Sequence, residues 1–196
     1  MEFPLIRCTV EERKRRENHL RLLIPIARQI GAWRIVIPFV DNSRLATEKE
    51  WEEVVAILER VVSMADEHQV ELHLEADLDP ESFKRFLELI PLPSVKVNWD
   101  SGNSSGLGYV ATREFAAYGG RIGSIHIKDR YRKPEGGVET RPLGTGSADF
   151  NDVFRAIRSI EYSGGLTLQA ARGVSGDEVD FLRTQIEFLK PFCEVD

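Results

Sequence analysis

Five short strand-like runs alternate with longer amphipathic stretches along this chain, and in four of the five runs polar and apolar residues alternate, the polar ones gathering late. Alternating strand and helix predicts a parallel sheet with helical crossovers. A polar strand face opposite an apolar one describes the inside of a barrel better than an open sheet covered on both sides. The predicted fold class is α/β of the (β/α)-barrel type, incomplete, with about five of the eight strands of a full barrel present.

The elements follow in order. Thr9 with Glu12, and Thr47 with Glu50, have capping-box spacing. The first box opens a helix through Leu20, Leu22, Leu23, Ile26 and Ala27 that stops at Gly31. The second follows the strand WRIVIPFV and opens a helix through Val54, Val55, Ile57, Leu58, Val61 and Val62. The strand VELHLEA precedes Asp79-Pro80, an N-cap with proline at the first helical position, and a helix toward Leu89. SVKVNWD leads through a Gly/Ser-rich loop to a short helix from Arg113 to Tyr118. RIGSIHIKD leads through an irregular stretch, Tyr131 to Gly146, that reads either as a substrate lid or as a surface insertion, to a helix near Asp149. GLTLQAA precedes the last helix, Asp177 to Leu189. No hairpin signal joins two strands and no linker or composition shift divides the chain, so residues 1–196 read as a single domain.

Composition narrows the function classes. With 42% apolar and 30% charged residues the chain can bury a core, and a net charge of -6 offers no footprint for a phosphate backbone or an anionic membrane. Small molecules are the expected partners; nucleic acid and membranes are not. No apolar run approaches the roughly 20 residues of a membrane span, and MEFPLIRC lacks a signal-peptide pattern, which points to the cytoplasm. Cys8 and Cys193 lack CxxC spacing and read as inert reduced thiols.

The alternation carries the chemistry. Leu72 and Leu74 alternate with His73 and Glu75; Val95, Val97 and Trp99 with Lys96, Asn98 and Asp100. Ile125 and Ile127 alternate with Ser124, His126 and Lys128, and Leu166 and Leu168 with Thr167 and Gln169. Period two puts each polar set on one face. In a (β/α) barrel the strand C-termini form the mouth, so Glu75, Asp100, His126 and Gln169 would converge there. Two carboxylates buried together repel and desolvate at a cost that a divalent cation removes. Two carboxylates, an imidazole and an amide oxygen suit Mn²⁺, Mg²⁺ or Co²⁺ better than tetrahedral zinc. Lys128, Asp129 and Arg132 would dress the rim; Arg132 and Arg172 read as anion contacts or as solvated surface residues. His73 reads as a core histidine one layer below Glu75. PLGTGSADF allows a tight turn whose amides could receive a phosphate, or simply starts a helix.

The segments HLEADL, VNWDSGNSSGLGY, GSIHIKDR, PLGTGSADFNDVFRAI and YSGGLTLQAAR, in this order, resemble the sugar phosphate isomerase/epimerase group of the xylose isomerase-like TIM barrels, which belong to the superfamily of the AP endonuclease family 2 proteins. The similarity covers nearly the whole chain. It implies four metal ligands at consecutive strand ends, with Glu75, Asp100 and His126 matching the first three; the fourth falls on Gln169, an amide where the family has a carboxylate. Asn103 stands where members often have a substrate-contacting histidine, and Arg132 matches a substrate-contacting arginine. The implied reaction is abstraction of a proton next to a carbonyl, through a cis-enediolate, with Glu75 as base; because Gln169 cannot return the proton, either a one-base shift or reprotonation from Lys128, His73 or water is required, and Lys128 alternatively neutralises the mouth. The substrate would be a sugar or sugar phosphate.

The same resemblance makes WRIVIPF equivalent to the family's fourth strand and leaves three earlier strands outside the sequence, so the barrel looks truncated at its N-terminal side. Open sheet edges invite association, here a homo-oligomer. Gln169 and the missing strands also support an alternative, a non-catalytic carbohydrate- or metal-binding relative or inactive barrel fragment; a dehydratase of the same superfamily would begin with the same proton abstraction. An endonuclease relative would want a histidine-rich zinc site and a basic surface, and four histidines with an acidic balance fit that badly.

Overall fold

The computed structural model describes residues 5–171 and 176–193. The chain forms two compact units, one up to Asn98 and the other from Trp99, and the boundary falls inside a strand.

The first unit contains α1 (Val10–Gln29), β1 (Arg34–Phe39), α2 (Glu48–Glu67), β2 (Glu71–Ala76), α3 (Pro80–Glu88) and the start of β3 (Val95–Asp100). Its helices begin where the side-chain chemistry starts them. Thr9 and Glu12 form a reciprocal capping box, as do Thr47 and Glu50. Asp79 caps α3 by accepting from Ser82 N at 3.1 Å, with Pro80 occupying the first turn where a missing N–H costs nothing. β1 pairs parallel with β2 from Arg34↔Glu71 to Phe39↔Ala76, and β2 with β3 from Leu72↔Val95. The apolar residues of the alternation, Leu72, Leu74, Val95 and Val97, are fully buried, as are Ile57, Leu58 and Val61 of α2.

One ion pair locks α1 to α2. Glu17 Oε1 accepts from Arg60 Nε at 3.1 Å and Oε2 from Nη2 at 2.8 Å, a bidentate fork, and Arg21 adds a third donor at 3.3 Å. Hydrogen bonds from Arg60 hold the Glu17 carboxyl below its ordinary range, against the opposing effect of burial.

The second unit contains the end of β3, then α4 (Ser101–Leu107), α5 (Ala111–Tyr118), β4 (Ile122–Ile127), β5 (Asp129–Arg132), β6 (Val138–Arg141), α6 (Phe150–Ser159), β7 (Leu166–Leu168) and α7 (Glu178–Cys193). Its core holds Ile125 and Ile127 of β4 and an edge-to-face pair of Trp99 and Phe115, with centroids 4.9 Å apart. Phe150 and Phe154 of α6 meet Phe188 and Phe192 of α7 in an aromatic cluster with centroid spacings from 4.9 to 6.2 Å. Five parallel strands form one sheet in the order β1-β2-β3-β4-β7, short of a full barrel, as the alternation predicts.

Two segments differ from the sequence reading. The Gly/Ser-rich stretch after β3 is helical: Asp100 caps α4 through Asn103 N at 2.7 Å, and Gly108 ends it in the left-handed conformation at φ 84°. Its glycines serve packing, since a Cβ at Gly102 would stand 2.7 Å from Cγ of Lys128 and one at Gly106 3.0 Å from Cγ1 of Val138. The stretch from Tyr131 to Gly146 contains an antiparallel pair, β5 with β6 from Asp129↔Arg141 to Arg132↔Val138, so the expectation of no hairpin is corrected. Gly136 and Gly137, at φ 98° and 83°, make its turn, and the Gly-Gly pair was the overlooked signal. No helix among the described residues is long and apolar enough to cross a membrane.

Glu17→Gln should lower stability near neutral pH by about 1 kcal/mol, less than a fully buried charged hydrogen bond because Arg60 is half exposed. Because folding depresses this carboxyl, its contribution is complete above the ordinary glutamate range and disappears as pH falls through the depressed folded value. Denaturant midpoints measured from neutral to acid pH should therefore separate the two proteins at pH 7 and bring them together in acid.

Candidate functional site

Strand pleating places the polar residues. In the first unit, Glu75 is the fifth residue of β2, and the amide of Asn98, 1% exposed on β3, donates to its Oε2 at 2.7 Å. A carboxylate only accepts, so the Nδ2 side of the amide must face it. His73 lies two residues earlier on the same face of β2, fully buried, with Nε2 2.8 Å from Glu71 Oε2 and its ring edge-on to Trp33. Burial holds the imidazole below its ordinary range, opposed by the hydrogen bond to Glu71.

In the second unit, Asp100 ends β3 with a side chain 1% exposed, and its two oxygens have separate fates. Oδ1 accepts from Asn103 N as the cap of α4. Oδ2 is buried without a hydrogen-bond partner among the described residues. It stands 3.8 Å from Nδ1 of His126, the fifth residue of β4. That distance is too long for a hydrogen bond. Two ligands each about 2.0 to 2.2 Å from one ion can stand up to about 4.3 Å apart, so the gap has the size of a shared cation. An orphaned, buried carboxylate oxygen beside an imidazole nitrogen fits a divalent metal.

The surrounding residues brace this pair. Ser101 Oγ donates to Lys128 O at 2.7 Å and accepts from Lys128 N at 2.9 Å, tying the start of α4 to the chain just past β4. The Lys128 stem lies against Gly102. Asn103 Oδ1 accepts from Arg130 Nη1 at 2.9 Å, so Arg130, which the sequence reading passed over, is the arginine that reaches Asn103. Its signal was its parity with His126 and Lys128. Arg132 instead lines a cavity of about 420 Å³ with Trp99, Ser104, Ser147 and Asp149. Trp99 points to the face of β3 opposite Asn98 and Asp100. Beside that cavity, buried Glu114 accepts from Ser104 Oγ and from Tyr118 Oη, the latter at 2.7 Å, and burial raises both carboxyl and phenol above their ordinary ranges.

Gln169 follows β7 and donates its backbone N–H to Ile127 O at 2.9 Å, and its residue is exposed. His126 pairs with Thr167, so Gln169 stands one pair further along, level with Lys128. Arg172 lies outside the described residues.

The PLGTGSADF turn does bind an anion, an internal one. The buried carboxylate of Asp129 accepts from Gly144 N at 3.0 Å, Gly146 N at 2.8 Å and Ala148 N at 3.1 Å. These amides, one of whose two sequence readings is a seat for phosphate, are occupied by the chain itself. Ser147 Oγ accepts from Arg132 N, and Asp149 caps α6 through the amides of Asn151 and Asp152.

A family model described as xylose isomerase-like TIM barrel matches residues 4–192. Comparison with curated proteins finds no match. Among solved structures, the xylose isomerase domain protein from Planctomyces limnophilus superimposes with a TM-score of 0.81 at 21% identity, over 97% of this chain and 69% of that one. The IolI protein with a bound zinc atom gives 0.82 at 15% identity, over 98% and 75%. D-Allulose 3-epimerase from Methylomonas sp. in complex with D-allulose gives 0.74 at 18% identity, over 94% and 71%. At these identities the structures establish a shared fold.

Gly146→Ala tests the internal anion seat, because a Cβ there would collide with the Asp129 carboxylate and stand 2.9 Å from the carbonyl carbon of Arg130. The expected result is a loss of about 1–3 kcal/mol in denaturant unfolding and faster proteolysis within residues 142–148. Unchanged cleavage would mean that these amides do not depend on Asp129.

Proposed function

The chain belongs to the xylose isomerase-like TIM barrel family, and from that premise we propose that it is a metal-dependent sugar or sugar-phosphate isomerase/epimerase, acting by proton abstraction next to a carbonyl through a cis-enediolate. The observation that carries the reading is Asp100 Oδ2, buried without a hydrogen-bond partner among the described residues and 3.8 Å from His126 Nδ1. Glu75, Asp100 and His126 are the proposed carboxylate and imidazole ligands of the cation. Gln169 is the proposed fourth ligand through its amide oxygen. Two carboxylates with imidazole and amide oxygen favour Mn²⁺, Mg²⁺ or Co²⁺, and the zinc in the IolI neighbour puts zinc among the ions to test. When bound, the cation polarises the substrate's carbonyl and hydroxyl oxygens.

The residues divide the remaining work. Glu75 takes the proton from the carbon beside the carbonyl. Gln169 cannot return it, since an amide neither accepts nor donates a proton in this pH range, so the ammonium of Lys128 is the proposed donor. Arg130, through Asn103, fixes the polar edge against which the sugar hydroxyls lie. Asn103, Arg132, Arg172 and His73 remain the proposed substrate contacts. His73 would have to act through its neighbours, being fully buried against Glu71. The proposed partners are small-molecule sugars, with no nucleic acid or membrane. The proposed setting is the cytoplasm, and β1 and β7, each with one neighbouring strand among the described residues, are the proposed edges of a homo-oligomer.

Gln169 favours one second reading, a sugar-binding relative that does not turn over. Mn²⁺-dependent exchange of the proton beside the carbonyl of ketoses and ketose phosphates, followed by NMR in D₂O, separates the two. Exchange that falls at least about a hundredfold in Glu75→Gln supports the enzyme. Sugar binding with no exchange in the unaltered protein overturns it. Lys128→Ala should leave exchange nearly intact while slowing net formation of the isomerised sugar; equal loss of both would remove Lys128 as the proton donor.

A further inference from the structure

We infer that Asn98 is a positioning residue for Glu75, an inference that rests on the metal-dependent reading above. The amide is 1% exposed and donates to Glu75 Oε2 at 2.7 Å, and the β2–β3 register extended by one residue from Leu74↔Val97 sets the two side chains level. Glu75 stands at the end of a strand with a partly exposed side chain, and nothing in a strand's backbone fixes the rotation of a carboxylate plane. Nδ2 of Asn98 fixes it. The proposed ligand and base then presents its oxygens in one orientation before any ion or sugar arrives.

The chemistry at position 98 is specific. A charged donor such as lysine would neutralise Glu75 and compete with the cation, whereas an amide supplies a hydrogen bond without charge. Asn98 also stands two residues before Asp100 on one strand, hence on the same face, so a single pleated segment carries the residue that orients Glu75 and the carboxylate that faces His126.

The test is Mn²⁺ affinity, titrated by electron paramagnetic resonance, in the unaltered protein, Glu75→Gln, Asn98→Ala and the double variant, with circular dichroism and melting to confirm folding. Removing a hydrogen-bond partner of a metal ligand typically weakens binding by about 10- to 100-fold, and Asn98→Ala should fall in that range. In the Glu75→Gln background the same substitution should change affinity little, because the group it orients is already altered. A purely structural role would instead weaken binding by a similar factor in both backgrounds, and that result overturns the inference, as does unchanged affinity in Asn98→Ala. No Mn²⁺ binding by the unaltered protein, or unchanged binding in Glu75→Gln, overturns the parent reading instead. Should Asn98→Ala fail to fold, Asn98→Ser keeps a donor but shortens its reach; it should show an intermediate loss, and unaltered affinity there overturns the inference.

Discussion

Asp100 divides one carboxylate between architecture and chemistry. Its Oδ1 is committed to the amide of Asn103, which starts α4; its Oδ2 is buried, has no hydrogen-bond partner among the described residues and stands 3.8 Å from an imidazole nitrogen. A buried oxygen without a partner is costly, and proteins keep such atoms where a ligand or ion satisfies them. The cap also fixes the side chain's rotamer, so the oxygen's direction is set by the fold. Ser101, hydrogen bonded twice to the backbone of Lys128, then holds the start of the same helix against the end of β4. Helix start, strand end and candidate ligand are therefore one mechanical unit.

Much of this was legible in the amino-acid order, because period two and helix capping are local rules. Glu75, Asp100 and His126 could be read as strand-end residues from the apolar residues that alternate with them, and Thr9, Thr47 and Asp79 announced their helices. What escaped reading depends on partners distant in sequence. Ser101 to Leu107 looks like a loop by propensity, yet a cap and the need for glycine beneath Lys128 and Val138 make it a helix. The choice of Arg130 over Arg132 as the partner of Asn103 follows from the antiparallel pairing of β5 and β6, which the Gly136-Gly137 turn encodes and which was read as irregular.

The departure at position 169 sits in a different physical setting from the rest. Asp100 is enclosed and His126 mostly so, while Gln169 is exposed just past a strand of three residues that has one neighbour among the described residues. A carboxylate there would not carry the desolvation burden that makes Asp100 Oδ2 costly. An amide at that place can lend an oxygen, and it separates the question of holding an ion from the question of returning a proton.

The Asp129 cradle bears on selectivity. Three amides that converge on one carboxylate are a filled seat, and a visiting phosphate would have to evict the first residue of β5. On the proposed sugar or sugar-phosphate reading, discrimination between the two falls to cationic side chains, whose attraction is screened by salt, instead of to this array of backbone dipoles.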